Sequence, residues 1–97
     1  MIKMSKLRNE EIDFLFECIL KLENVDECYA FFEDICTIKE LQSIAQRVNV
    51  AKLLTEGKVY TDIAAITGAS TATISRVGRS LNYGNDGYDL IFNRLKL

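Results

Sequence analysis

The chain has 97 residues, of which 48% are hydrophobic, and it carries a net charge of −2 with no His and no Pro. This length fits one domain, and this composition excludes an intrinsically disordered chain. Because His is the commonest acid–base and metal-binding side chain, we predict neither an enzyme nor a metal site.

The three cysteines predict a reduced environment rather than a metal or redox site. Cys18, Cys28 and Cys36 are ten and eight positions apart, which matches no zinc or redox motif. We expect them to be small buried hydrophobic residues. No secretory leader pattern and no apolar run of membrane-spanning length is present, so we predict a cytoplasmic protein with no membrane partner.

The first helix is predicted by apolar residues that recur at three- and four-residue steps. These residues are Ile12, Leu15, Phe16, Ile19, Leu20 and Leu22. Asn9 is the predicted N-cap, since an Asn side chain can accept a hydrogen bond from the first turn.

The next two helices both begin with a capping-box pattern. Asn24 with Glu27 predicts the start of the second helix, and the sequence TIKE at residues 37–40 predicts the start of the third. Gly57 is the predicted end of the third helix, because glycine readily adopts the left-handed conformation that closes a helix.

Three shorter helices are predicted in the rest of the chain, over residues 60–67, 70–81 and 88–96, with a turn at 82–87 that is rich in Gly and Asn. No alternating strand pattern is present. The sequence therefore predicts an all-α fold of about six helices, forming a single domain over residues 1–97.

The fourth and fifth predicted helices have the pattern of a helix-turn-helix over about residues 59–81. The joint between them is short, so the helices must cross sharply and their backbones must come close. Ala64 supplies a small side chain at the crossing, and Gly68 supplies the left-handed turn. Ile63, Ile74 and Val77 are the predicted core of this motif.

The outward face of the fifth helix carries short polar and basic side chains, which suit a helix that enters the major groove. The predicted DNA contacts are Ser70, Thr71, Ala72, Ser75, Arg76 and Arg79. Ser70 can also cap this helix. Phosphate contacts are predicted near the start of the fourth helix, at Lys58, Tyr60 and Thr61.

The distribution of charge agrees with a basic working face in the second part of the chain. Residues 1–40 hold five basic and ten acidic residues, a net of −5, whereas residues 41–97 hold seven basic and four acidic, a net of +3. Such an asymmetry between halves favours a nucleic-acid partner for the basic half.

Several segments resemble the Trp repressor superfamily: LL at 53–54, TGASTATISR at 67–76 and SL at 80–81. The segment FFEDICTIKELQSIAQR at 31–47 is most similar to the Trp-repressor-like proteins of the YerC/YecD type. The resemblance covers about residues 10–95. It implies an all-helical, intertwined homodimer whose two helix-turn-helix heads bind a near-palindromic operator in double-stranded DNA.

The resemblance also implies a ligand pocket for a corepressor, which is tryptophan in the Trp repressor itself. The matching positions here are Thr37, Arg47, Thr73, Arg76 and Ser80. Val77 replaces a Gly beside the pocket, and Asp34 and Cys36 replace Leu. A bulkier wall and a carboxylate near an indole disfavour tryptophan, and Ala64 in place of a Lys prevents the operator sequence from being carried over.

We therefore predict a sequence-specific DNA-binding transcriptional regulator, a repressor that a small ligand could modulate and that needs no bound cofactor. The alternative is a helical protein-interaction module in which the helix-turn-helix serves only for packing. The ligand roles of the arginines have alternatives of their own. Phosphate contact explains Arg76 and Arg79 without any pocket, and Arg47 can instead pair with an acidic residue of the N-terminal half.

Overall fold

The computed structural model describes residues 5–97, and in this range the protein has an all-α fold. Six helices and no strand are present in this range, which confirms the predicted fold class. They are α1 (Glu10–Ile19), α2 (Val25–Ile35), α3 (Ile38–Thr55), α4 (Tyr60–Thr67), α5 (Thr71–Tyr83) and α6 (Gly87–Arg94).

The predicted ends of the last two helices differ from the observed ones by one or two residues. α5 continues past position 81 to Tyr83, and Gly84 ends it. A Cβ at Gly84 would overlap the carbonyl group of Ser80, so glycine is required at this bend. α6 ends at Arg94, shortly before Lys96 adopts a positive φ of 60°.

The chain divides into two compact units, one ending at Leu41 and one spanning Gln42–Leu97. The division falls within α3. The prediction of a single domain over residues 1–97 stays a prediction.

The helix starts of the first unit are formed by the capping residues that the sequence predicts. The Asn9 Oδ1 accepts a hydrogen bond from the Ile12 N–H at 2.8 Å. Asn24 accepts one from the Glu27 N–H, and the Glu27 carboxylate in turn accepts one from the Glu23 N–H, both at 2.9 Å. These bonds satisfy N–H groups that a helix leaves without partners in its first turn.

The capping box at the start of α3 is reciprocal between its two residues. The Thr37 hydroxyl accepts from the Glu40 N–H at 3.1 Å, and the Glu40 carboxylate accepts from the Thr37 N–H at 2.8 Å. The hydrogen bonds from the backbone and the side chain of Thr37 favour the ionised carboxylate, so they lower the pKa of Glu40. The predicted start of α3 is confirmed.

The apolar faces of α1 and α2 contain no buried residue. Phe16 of α1 is 54% exposed and Val25 of α2 is 69% exposed. The burial predicted for the cysteines is wrong for the chain as it stands. Cys28 is exposed, and Cys18 and Cys36 are half-buried. Cys18 and Cys28 lie on α1 and α2, whose apolar faces stay open, and Cys36 follows the end of α2.

The second unit has a continuous apolar core. Its buried residues come from α3, α4, the following turn, α5 and α6, and they are Val50, Ala51, Ile63, Ala69, Ile74, Val77 and Phe92. Burial of a side chain the size of Ile contributes roughly 1.5–3 kcal/mol. The core therefore holds α4 and α5 against α3 and α6.

Candidate nucleic-acid interface

The joint between α4 and α5 consists of three residues, 68–70. Gly68 ends α4 in the left-handed conformation, with φ 74° and ψ 6°, and its N–H donates to the Ala64 carbonyl at 2.9 Å. Ser70 is extended, with φ −71° and ψ 158°, and α5 begins at the next residue. The left-handed Gly68 and the short joint confirm the helix-turn-helix geometry that the sequence predicts.

The predicted core of the motif is buried. Ile63 and Ile74 have no exposed surface and Val77 has 2%, so the inner faces of α4 and α5 pack together. Ala64 is half-buried and packs against this core, as a small residue at the crossing should. Ala69, in the joint itself, completes the core and was not foreseen, since an Ala in a turn carries no periodic signal.

The turn is also held by hydrogen bonds of Thr67, the last residue of α4. Its hydroxyl donates to the Ile63 carbonyl at 2.7 Å and accepts from the Ala69 N–H at 3.1 Å. The Thr67 carbonyl accepts from the Gln46 side-chain amide of α3 at 3.2 Å. No local sequence pattern predicts this role of Gln46, because its acceptor lies 21 positions away.

Ser70 caps α5 as predicted. Its hydroxyl oxygen accepts a hydrogen bond from the Thr73 N–H at 3.1 Å. The same hydroxyl donates to the Thr73 hydroxyl, with 3.1 Å between the two oxygens. Both groups are thereby engaged at the start of the helix. This arrangement orients the first turn of α5.

The predicted DNA-contacting residues of α5 share its outward side. Thr71, Ala72, Arg76 and Arg79 are exposed, and Ser75 is half-buried. α5 contains no Asp or Glu.

The two arginines of α5, Arg76 and Arg79, are unpaired within residues 5–97. The only ion pair in that range joins Arg8 to Asp13, at 3.4 Å. Both guanidinium groups are therefore available to an anionic partner.

The start of α4 offers exposed Lys58 and Thr61, and its N-cap, Val59, provides no side-chain hydrogen bond. The first amides of this helix are thus uncapped, as a phosphate-binding helix start requires.

Tyr60 is 42% exposed, but its hydroxyl lies beside α5. Its hydroxyl lies 3.4 Å from the position that a Cβ on Gly78 would occupy. The side chain lines a cavity of about 400 Å³ beside α5, together with Gly78, Asn82 and Asp89. A phosphate contact from Tyr60 would need the hydroxyl to turn away from α5.

The predicted ligand residues of the second unit, Arg47, Thr73, Arg76 and Ser80, lie on α3 and α5. Arg47, Arg76 and Ser80 are exposed, whereas Thr73 is half-buried with its hydroxyl bonded to Ser70. Ser80 lines a groove of about 430 Å³ that also contains Val48, Tyr88 and Ile91.

Thr37, the remaining predicted ligand residue, belongs to the first unit. There its hydroxyl caps α3.

No helix in the described part of the chain combines the length and the apolar character needed to cross a membrane.

Comparison with known proteins identifies a family and several close relatives. The family model described as Trp repressor protein matches residues 10–96. The uncharacterized protein YerC of Bacillus subtilis (strain 168) is 56% identical over 95 residues, covering 98% of this chain and 91% of YerC.

Two solved structures are also similar in sequence and in fold. A TrpR-like protein from Eubacterium eligens ATCC 27750 has 60% identity and a TM-score of 0.92, with 95% of each chain covered. A candidate Trp repressor from Staphylococcus aureus has 54% identity and a TM-score of 0.90, with 94% of this chain and 91% of that chain covered. The family resemblance seen in the sequence is confirmed.

Proposed function

The chain belongs to the Trp repressor family, and from this premise we propose that it is a sequence-specific DNA-binding transcriptional repressor that acts as a homodimer. This family is one of regulators rather than enzymes. The observation that carries the proposal is the outward side of α5, which presents no carboxylate and two arginines that have no ion pair within residues 5–97.

The first turn of α5 is suited to contact base edges. Thr71 and Ala72 are short and exposed, so the helix backbone can come close to the floor of the major groove. Their methyl groups can touch thymine, and the Thr71 hydroxyl can bond a base or a phosphate. Arg76 and Arg79 follow one and two turns later, where they can reach guanine edges or the phosphate backbone.

The start of α4 supplies the proposed phosphate contact. The uncapped amides after Val59 and the exposed Lys58 and Thr61 provide donors and positive charge. Backbone amides at a helix start attract phosphate through hydrogen bonding and the helix dipole. Such contacts fix the position of the protein on DNA, whereas base contacts choose the sequence.

The homodimer is supported by the open apolar faces of α1 and α2. Exposed aromatic and aliphatic side chains on two successive helices are typical of a surface that a partner covers. A twofold dimer carries two identical recognition helices, which would bind half-sites about one DNA turn apart, roughly 34 Å.

A ligand that modulates DNA binding would contact the residues implied by the family, which are Thr37, Arg47, Thr73, Arg76 and Ser80. Tryptophan is disfavoured as that ligand, because Val77 adds bulk where the repressor has Gly. This side chain is buried, with 2% of its surface exposed. Thr73 already has its hydroxyl bonded to Ser70.

A protein-interaction module is the second candidate function. The observation that favours it is the acidic first part of the chain, where residues 1–40 carry a net charge of −5. This alternative predicts no salt-dependent DNA affinity, whereas a DNA-binding protein releases counterions from each phosphate that it neutralises.

The deciding experiment is selection of genomic DNA fragments by the purified protein at two salt concentrations, with and without tryptophan. We expect a near-palindromic sequence to be enriched, with less DNA retained at the higher salt concentration. Enrichment that depends on tryptophan would identify the corepressor. No enrichment under any of these conditions would favour the protein-interaction module.

A further inference from the structure

Gln46 makes a side-chain hydrogen bond that differs from every other one within residues 5–97. Its amide nitrogen Nε2 donates to the Thr67 carbonyl at 3.2 Å, across 21 positions of the chain. The other side-chain hydrogen bonds in this range join residues at most four positions apart. Gln46 is thus the side chain that ties α3 to the helix-turn-helix by a directional contact.

The acceptor of this bond, the Thr67 carbonyl, lies where the chain turns from α4 into α5. The last carbonyl groups of a helix have no partner within the helix, so they need one from elsewhere. Thr67 is also bonded through its hydroxyl to Ile63 on one side and Ala69 on the other. Gln46 therefore holds a residue that is itself rigidly connected to both ends of the turn.

We propose that Gln46 is a positioning residue that sets the orientation of α5 for DNA binding. Apolar packing of Ile63, Ile74 and Val77 holds the helices together but is not directional, whereas a hydrogen bond requires a particular distance and angle. Without the bond from Gln46, the turn can shift relative to α3 while the core remains buried. This inference rests on the proposed DNA-binding function.

The bond lies at the wall of a groove rather than in the dry core. Gln46 and Thr67 line this groove of about 460 Å³, and Gln42, Asn49 and Ile66 are among its other residues. When the Gln46 amide is removed, water can therefore replace part of its hydrogen bonding to the Thr67 carbonyl. We expect loss of the bond to weaken DNA binding about fivefold, as for one ordinary hydrogen bond, without unfolding the protein.

The test substitutes Gln46 and a matched glutamine in the full-length chain. Gln46→Met keeps the length of the side chain and removes the donor. Gln42→Met makes the same change one helical turn earlier in the same groove, where no side-chain hydrogen bond from Gln42 is seen within residues 5–97. Gln46→Glu and Gln42→Glu form a second pair, which adds the same charge at both positions.

The measurement is the Kd for the fragment enriched in the genomic selection and for a scrambled fragment, by fluorescence anisotropy. A titration at high DNA concentration gives the active fraction of each preparation. A merely structural role would lower the active fraction and leave the Kd of the folded protein unchanged. We expect both Gln46 variants to lose about fivefold in affinity for the enriched fragment and little for the scrambled one, while both Gln42 variants match the wild type.

Two results would overturn the inference in different ways. Suppose that the wild type binds the enriched fragment, and that the ratio of the Kd for the scrambled fragment to the Kd for the enriched fragment is the same in the Gln46 variants as in the wild type. In that case only the positioning role is wrong. If the wild type binds neither fragment, the proposed function fails and the role of Gln46 fails with it.

Discussion

The helices α1 and α2 bury none of their residues, whereas α4 and α5 bury Ile63, Ile74 and Val77 almost completely. Both regions are amphipathic in sequence. A side-chain cap begins α1, α2 and α5, whereas α4 has none. The two regions differ in what covers the apolar side. The helix-turn-helix packs within its own unit, while Leu15 and Phe16 on the apolar face of α1 remain exposed.

This difference shows that an amphipathic pattern identifies an apolar face but not its partner. In the second unit the partner is another helix of the same chain. For α1 and α2 we propose that the partner is a second copy of the chain. The following predictions examine each side of this comparison.

The largest effect is expected from Phe16→Asp in α1. Phe16 is 54% exposed in the single chain, so the change should not disturb the core of the second unit. In a dimer it would remove the burial of a large aromatic side chain, worth roughly 1.5–3 kcal/mol, and place a carboxylate in an apolar contact. We expect mainly monomer at micromolar concentration by sedimentation velocity, with DNA affinity lowered about a hundredfold.

The control for this prediction is Phe14→Asp, which makes the same substitution on the opposite side of α1, where Glu10 and Glu17 lie. It should remain dimeric. A Phe16→Asp protein that sediments as the wild-type dimer would show that the apolar face of α1 is not the dimer contact.

A smaller effect is expected from Arg76→Ala on α5. Loss of a base or phosphate contact costs about 1–3 kcal/mol, so the Kd for the enriched fragment should rise about tenfold. Arg94→Ala, at the exposed end of α6, removes the same charge outside the helix-turn-helix and should change the Kd little. Equal affinities for the wild type and a folded Arg76→Ala protein would refute the assignment of α5 as the recognition helix.

Gly68→Ala should lower the free energy of unfolding by about 1 kcal/mol, because φ at this position is 74° and an L side chain is strained there. No atom lies within 4 Å of the added Cβ, so the backbone conformation alone causes the loss. Gly87→Ala also meets no atom within 4 Å, but its φ is not left-handed, so it should be neutral or slightly stabilising. Urea unfolding measures both, and equal losses would contradict the strain argument.

The smallest effect concerns Glu40, whose pKa is lowered by its hydrogen bonds with Thr37. Because the pKa is lower in the folded state, the stabilisation is present above the unfolded pKa and is lost as the pH falls through the folded pKa. Thr37→Ala removes the side-chain hydrogen bond and keeps the larger effect of the backbone N–H. It should therefore return the pKa of Glu40 part of the way toward its ordinary value in an NMR titration of the side-chain carboxyl. Thr55→Ala, at the other end of α3, should leave the pKa of Glu40 unchanged.

Local chemistry was sufficient to predict most of the fold. Asn9, Asn24, Thr37 and Ser70 each cap the helix that the sequence assigns to them, because a cap depends on a side chain and an amide three residues away. Gly68 was predicted for the same reason, since its left-handed φ is a property of one residue. The all-helical class followed from the periodicity of the apolar residues.

The candidate site was less accessible to such reasoning. The exposure of Arg76 and Arg79 on α5 could be expected from their helical phase. The return of the Tyr60 hydroxyl toward Gly78 could not, because it depends on how closely α4 and α5 approach each other. The same holds for Ala69, whose burial depends on the shape of the turn around it.

The amino-acid order alone thus determined where the helices begin, which faces are apolar and that a helix-turn-helix with a basic outer side is present. These features arise from interactions over three or four residues, which the chain encodes locally. The tertiary structure decided which apolar faces are covered within the chain, and it brought Gln46 of α3 to the Thr67 carbonyl across 21 positions. Contacts between such distant positions depend on the packing of whole helices, so no short segment specifies them.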